Sequence, residues 1–311
     1  MLKSSATTFL MIAVTDIVNG VYEFVNLFLL LDANAVYFGA SELRANSAPL
    51  LRVLATMGEV DAAISVASYR AEVGAWTRPR FKPPGAPVFW TDLRHPLVVH
   101  AVPNSIGLAP PNGVLVTGSN MSGKSTFLRT AGVAAVLAQT IHTCLATDYQ
   151  APIFNVRTCI GRADDLIAGK SYYIVEVEAI LDLVKASWDR APHLFLLDEL
   201  FRGTNAVERI AAAEAVLIEL VTDGAEPNPH IVMAATHDGE LVDLLHDIYA
   251  TYHFTDTIGP DGLMFEYRLQ SGPATTRNAI ALLELQGAPK TLVTRALARA
   301  AALDRQRKIT H

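Results

Sequence analysis

Three stretches of this chain are apolar without interruption: Val114-Leu115-Val116, Leu194 to Leu197, and Ile231 to Ala235. Strands that show water on one face alternate apolar with polar residues, so unbroken runs of this length predict strands buried on both faces, the parallel centre of a sheet. Val88 to Trp90, Tyr252 to Thr255 and Met264 to Leu269 predict flanking, partly antiparallel strands. Between the strands the apolar period lengthens to three and four residues, which predicts helices over 124–142, 172–189, 206–222, 238–246, 276–286 and 289–303. Strands alternating with helices give an α/β fold, a mixed sheet with helices on both faces.

The first part of the chain has another rhythm. Leu50, Leu54, Met57, Val60, Ile64 and Ala67 recur at helical spacing between Pro49 and Ala75, with Ser47 as cap and Pro49 suited to a first turn. This predicts an amphipathic helix. Thr77 to Pro87 then carries four prolines in eleven residues, an extended linker. The expected division is a helical region over 1–80 and an α/β domain over 81–311. Upstream, Phe9 to Leu31 and Ala33 to Phe38 are mostly apolar, but Asp16, Asn19, Glu23, Asn26 and Asp32 interrupt the stretch. A bilayer span needs about 20 consecutive, predominantly apolar residues. With no basic-then-apolar leader pattern, the segment reads as an apolar helix packed on protein, and the chain as cytoplasmic.

Composition narrows the picture little. Across 311 residues, 51% are hydrophobic and the mean hydropathy is +0.27, which points to a deeply buried sheet or to surfaces that pack on a partner. Two cysteines, Cys144 and Cys159, make neither a disulfide framework nor a metal cluster, so both are expected as reduced structural thiols. A net charge of −6 exerts no global pull on nucleic acid. Any such contact falls to local basic clusters: Arg70, Arg78, Arg80 and Lys82, or six basic residues against Asp304 alone in 290–311.

The chemistry is concentrated after the first buried run. Gly118-Ser119-Asn120-Met121-Ser122-Gly123-Lys124-Ser125-Thr126 has the spacing of a phosphate-binding loop, between a strand and a helix. Its glycines let successive N–H groups face the phosphates of a nucleoside triphosphate, Lys124 adds a charge, and Ser125 offers its hydroxyl to Mg²⁺. The second run ends in Asp198-Glu199: Asp198 is the expected Mg²⁺ ligand and Glu199 the base that activates water. His237, at the end of the third run, emerges on the same carboxyl edge and could reach the γ-phosphate. Ser171 precedes a helical pattern and, by itself, reads as an ordinary cap.

In order and content these motifs resemble the MutS family of DNA mismatch-repair ATPases, a branch of the ABC-type phosphate-loop ATPases. The resemblance rests on Ser119 to Phe127, on Asp164-Asp165 through Glu176, on Leu197 to Asn205, on Arg94-His95-Pro96-Leu97, on Thr236-His237 and on Gly272 to Thr275. It implies ATP and Mg²⁺ as ligands, and a dimer, of two copies or with a longer relative, in which Ser171 of one protomer meets the γ-phosphate held by Lys124 of the other. Arg202 to Asn205 would lie at the same seam. About 85 residues before the ATPase region leave no room for the family's mismatch reader and DNA clamp. Ala101-Val102-Pro103-Asn104 lacks the aromatic that the family tends to place near the adenine. The implied role is ATP-driven action on DNA in mismatch repair; the alternative is an ATP-driven switch acting on a protein or membrane partner.

Overall fold

The computed structural model describes residues 18–109, 113–161, 172–222, 229–259, 262–274 and 279–309. The three unbroken apolar runs become β4 (Gly113–Thr117), β7 (His193–Asp198) and β8 (Ile231–Ala235), adjacent and parallel as expected. They form the centre of a six-stranded sheet of order β10-β9-β4-β8-β7-β6, completed by β6 (Asn155–Cys159), β9 (Tyr249–Gly259) and β10 (Gly262–Ser271). Because successive side chains point to opposite faces, each run feeds two cores. Val114, Val116, Leu194, Leu196, Ile231 and Met233 pack on the side of α4 (Lys124–Ile141). Leu115, Phe195, Leu197, Val232 and Ala234 pack with α5 (Tyr172–Ser187), α6 (Ala206–Thr222) and α7 (Gly239–Leu244) on the other. Gly132 lets α4 approach closely, since a Cβ there would sit 2.7 Å from Leu196 Cδ1.

Tyr252 to Thr255 in β9 and Met264 to Leu269 in β10 flank the centre and pair with each other antiparallel, as expected, while β9 runs parallel to β4. Val88 to Trp90 does not flank the sheet at all. It lies in β2 (Val88–Leu93) of a second sheet, order β1-β5-β2-β3, with β1 (Arg80–Phe81), β3 (Asn104–Leu108) and β5 (Asp148–Ala151). Trp90 and Tyr149 stack there at 5.9 Å, and this sheet shares the α4-side core. The strands β3, β5 and β6 went unexpected because they are short and interspersed with polar residues, too little pattern to separate from loop. The proline-rich segment read as a linker is pinned to the second sheet: Thr77 N–H donates to Cys144 O at 2.8 Å and Lys82 N–H to Ala151 O at 3.0 Å. At the far end, α8 (Ala279–Leu285) is followed by α9 (Lys290–Ile309), longer than its periodicity suggested.

By internal contacts the chain divides into Met1–Tyr69 and Arg70–His311. The first unit holds α1 (Val18–Leu29), α2 (Leu31–Ala45) and most of α3 (Ser47–Val73). The predicted α3 forms, but its apolar stripe is not covered: Leu50, Leu54, Met57, Val60 and Ile64 are all exposed, and neither α2 nor α3 contains a buried residue. Of the upstream apolar segment, Phe9 to Ile17 lies outside the described residues, and the large apolar side chains from Val18 to Phe38 other than half-buried Val25 are exposed, so the described residues of this chain do not cover them. Ser47 is not a cap. Helical bonds run on through Asn46, from its N–H to Glu42 O and from Leu50 N–H to its carbonyl, so the Ser47 hydroxyl instead donates to Arg44 O at 3.0 Å. Among the described residues no single helix is long and apolar enough to cross a membrane. Only α1 and α2 together, bent by 66°, meet that length and composition. At the bend Leu30 is left-handed (φ 49°), and Asp32 is bonded by Asn26 and by the Tyr22 hydroxyl.

Candidate functional site

The main chain turns sharply after β4. Gly118 has φ 139°, and a Cβ there would lie 2.9 Å from the Phe254 carbonyl oxygen and from Ser122 Oγ, so glycine is required on two counts. Gly123 (φ 115°) ends the loop and opens α4 without any side-chain cap. The first-turn N–H groups of an 18-residue helix therefore face the loop, together with the positive end of its dipole. Met121 is also left-handed (φ 68°) and its side chain is exposed. Ser122 is buried within the curl.

Lys124, in the first turn, is only 5% exposed, and its Nζ donates to Gly118 O at 3.0 Å and Ser119 O at 2.8 Å. Burial pulls its pKa down, opposed by Glu199, Asp198 and Asp256. A largely dehydrated ammonium is thus folded over its own loop.

Three strand tips are laced together beside it. Thr236 N–H donates to Val116 O at 3.1 Å, and Glu199 N–H to Ala235 O at 3.0 Å. This lacing sets the side chains that follow β7 and β8 against Lys124. Glu199 Oε1 is 2.8 Å from His237 Nε2, which is 3.2 Å from Lys124 Nζ, and Glu199 Oε2 is 3.3 Å from Nε of the exposed Arg202. His237 Nε2 can donate to Glu199 or accept from Lys124, not both. Its pKa is lowered by burial and then by Lys124, with Glu199 opposing, so the ring is neutral near neutral pH. The turn after His237 is held by Asp238, whose carboxylate receives both Nε (2.8 Å) and Nη2 (2.6 Å) of Arg209 from α6. Asp198 Oδ1 is buried with no hydrogen-bond partner.

A cavity of about 560 Å³ opens against the loop. Of the residues singled out in sequence, Asn120, Met121, Gly123, Lys124, Ser125, Thr126 and Glu199 line it. Gly118, Ser119 and Ser122 shape the curl from behind, while His237 and Asp198 stand at the Lys124–Glu199 side rather than on the wall. Ser171 and Asp164-Asp165 lie outside the described residues.

Ala101, Val102 and Asn104, also singled out in sequence, line the cavity as well, but the aromatic beside them was not foreseen. Tyr267, left-handed (φ 53°) at an irregularity in the β9–β10 ladder between Phe265 and Leu269, presents an aromatic ring to the cavity from a strand, not from the 101–104 stretch. Asn104 holds that irregularity, donating to Tyr267 O at 3.0 Å and accepting from Leu269 N–H at 2.6 Å. The only signal in sequence was a tyrosine between two charged residues of a predicted strand. His95 also lines the cavity, with a pKa lowered by burial and by Arg129.

Compared with known proteins, residues 114–304 match the family described as MutS domain V. The chain is similar to the DNA mismatch repair protein MutS of Thermus thermophilus, 34% identical over 278 residues, which cover 88% of this chain and 33% of the relative. Against the protein of the same name from Streptococcus pyogenes the identity is 33% over 259 residues, 79% of this chain and 29% of the relative. The chain therefore spans about a third of the length of the curated relatives it matches.

Proposed function

The chain belongs to the MutS family, and from that premise we propose that it binds ATP with Mg²⁺ and hydrolyses it. One observation carries this reading: His237 Nε2 lies 3.2 Å from Lys124 Nζ and 2.8 Å from Glu199 Oε1, which gathers the three groups at the mouth of an uncapped, glycine-hinged loop. The loop amides and the α4 N-terminus receive a polyphosphate, and Lys124, already dehydrated, adds its charge where the dielectric is low. Glu199 takes the proton of the attacking water. Neutral His237 orients that carboxylate and offers its ring edge to the γ-phosphate side.

Ser125 and Asp198 supply the oxygen donors that a small hard cation prefers, and the unpartnered, buried Asp198 Oδ1 fits that use. When bound, Mg²⁺ neutralises charge on the phosphates.

The wider role rests on the family. We propose a dimer, of two copies or with a longer relative, in which Ser171 completes the partner's site. Two relatives carry the name DNA mismatch repair protein, and action on DNA in that process is the role proposed here. The uncovered apolar helices α1–α3 favour a second reading, an ATP-driven switch acting on a protein or membrane partner. The test is steady-state ATP hydrolysis against protein concentration, with and without mismatched DNA at two salt concentrations. Glu199→Gln is expected to keep nucleotide and lose turnover; hydrolysis unchanged in that variant refutes its role. Stimulation by DNA that fades with salt supports the DNA reading, and indifference to DNA favours the second.

A further inference from the structure

The loop joining β7 to α6, Glu199 to Asn205, contains two non-glycine residues in left-handed conformations, Glu199 (φ 52°) and Phe201 (φ 57°). Side chains with a Cβ disfavour that region, so contacts outside the loop must hold it there. Glu199 N–H is held by Ala235 O at the tip of β8. Phe201 N–H is held from elsewhere: it donates to Oε1 of Glu176, on α5, at 2.8 Å.

Glu176 is an unusual acceptor. It is 2% exposed, on a helix whose neighbouring Ile180 and Leu183 share one apolar cluster with Leu200 and Phe201 of the loop. A carboxylate in such a place is costly unless hydrogen-bonded, and its bond to an N–H is charge-assisted and correspondingly strong. The same helix meets the loop again two residues on, where a Cβ on Gly203 would lie 3.7 Å from the Tyr173 ring. Side-chain burial and the Glu176 bond therefore fix the loop to the first turns of α5, with the Tyr173 ring beside Gly203.

Only Leu200 separates the two clamped amides. With the Glu199 amide tied to β8 and the Phe201 amide tied to α5, the direction of the Glu199 side chain toward His237 is over-determined. We infer that Glu176 is a positioning residue for hydrolysis, a buried carboxylate that sets the Glu199 loop from α5 without itself reaching the nucleotide. The inference rests on the reading that Glu199 handles the attacking water.

The test compares wild type, Glu176→Ala and Glu176→Gln in the full chain. Read out are kcat and KM for ATP, affinity for a fluorescent ADP analogue, melting temperature, and hydrogen exchange at the Phe201 amide. Glu176→Ala is expected to lower kcat roughly tenfold to a hundredfold, the scale set by misplacing a reacting group, with analogue affinity unchanged and Phe201 exchange accelerated. Glu176→Gln keeps an oxygen for the same N–H and should recover most of the turnover and the protection. The role is overturned if Glu176→Ala turns over at the wild-type rate, or if kcat, analogue affinity and melting temperature fall together in both variants. A wild-type chain that binds the analogue but does not hydrolyse ATP overturns the hydrolytic reading, and this role with it. Wild-type turnover with an unaffected alanine variant overturns this role alone.

Discussion

Leu54 and Leu196 are the same residue, each predicted to belong to a core-facing apolar pattern, yet Leu54 on α3 is 64% exposed and Leu196 on β7 is 0% exposed. The contrast extends to their regions. Neither α2 nor α3 has a buried residue, whereas every residue of β4 and β8 is buried. A helix satisfies its own backbone, so a 27-residue α3, well past the roughly 12–15 residues at which isolated helices become marginal, can form before anything covers it. A strand cannot. Its N–H and C=O groups need neighbours, and those neighbours bring the helices that bury it. Apolar periodicity thus predicts an element in both regions but predicts burial only where hydrogen bonding forces a second layer.

The largest effect that would sharpen this comparison is a truncation in the sheet. Leu196→Ala, which empties space beneath Gly132, should cost about 2–5 kcal/mol by denaturant unfolding. The comparison breaks if Leu54→Ala costs as much, because Leu54 would then be covered in solution. Next in size is the clamp behind His237. Arg209→Ala leaves the Asp238 carboxylate, only 17% exposed, without its bidentate partner, and should cost about 1–3 kcal/mol together with a fall in turnover. A variant with wild-type melting and kcat would show that the turn holds itself.

Acid should act on the second unit. His193 and His230 are buried, and burial lowers both pKa values below the ordinary 6.5. With the folded pKa depressed, their contribution is intact above pH 6.5 and is lost as pH falls through the folded values, because the unfolded chain takes up protons first. Unfolding free energy should therefore be lower at pH 5.5 than at pH 7.5, and His193→Phe should narrow the gap. The first 94 residues contain no histidine, so acid loss confined to α1–α3, followed by local exchange, would contradict this account. The smallest stability effect belongs to α3: Met57→Lys should change unfolding free energy by less than about 0.5 kcal/mol while reducing binding of a hydrophobic dye. A dye signal unchanged by that substitution would mean the stripe is not what the dye sees.

How far the site was legible follows from how local its parts are. Gly118 to Thr126 is a contiguous run of nine residues, two of them glycine, so its pattern is read from spacing alone. Asp198, Glu199 and His237 were legible because each ends an apolar run, and parallel strands bring such ends to one edge. Tyr267 was not, because its place on the cavity wall depends on Asn104, 163 residues away. Nor was the Arg209–Asp238 clamp or the Glu176–Phe201 bond, each of which joins residues that no periodicity relates.

The sequence by itself determined the central strands, the helices, the glycine-hinged loop after β4 and the family, since these depend on runs of neighbouring residues whose backbone preferences and apolar spacing act locally. Only the tertiary structure decided that Val88 to Trp90 leaves the main sheet, that the α3 stripe stays uncovered, and which groups hold Glu199 and His237 in register. Those outcomes turn on which distant groups satisfy one another's hydrogen bonds and fill one another's space, and that competition is resolved only when the whole chain is packed.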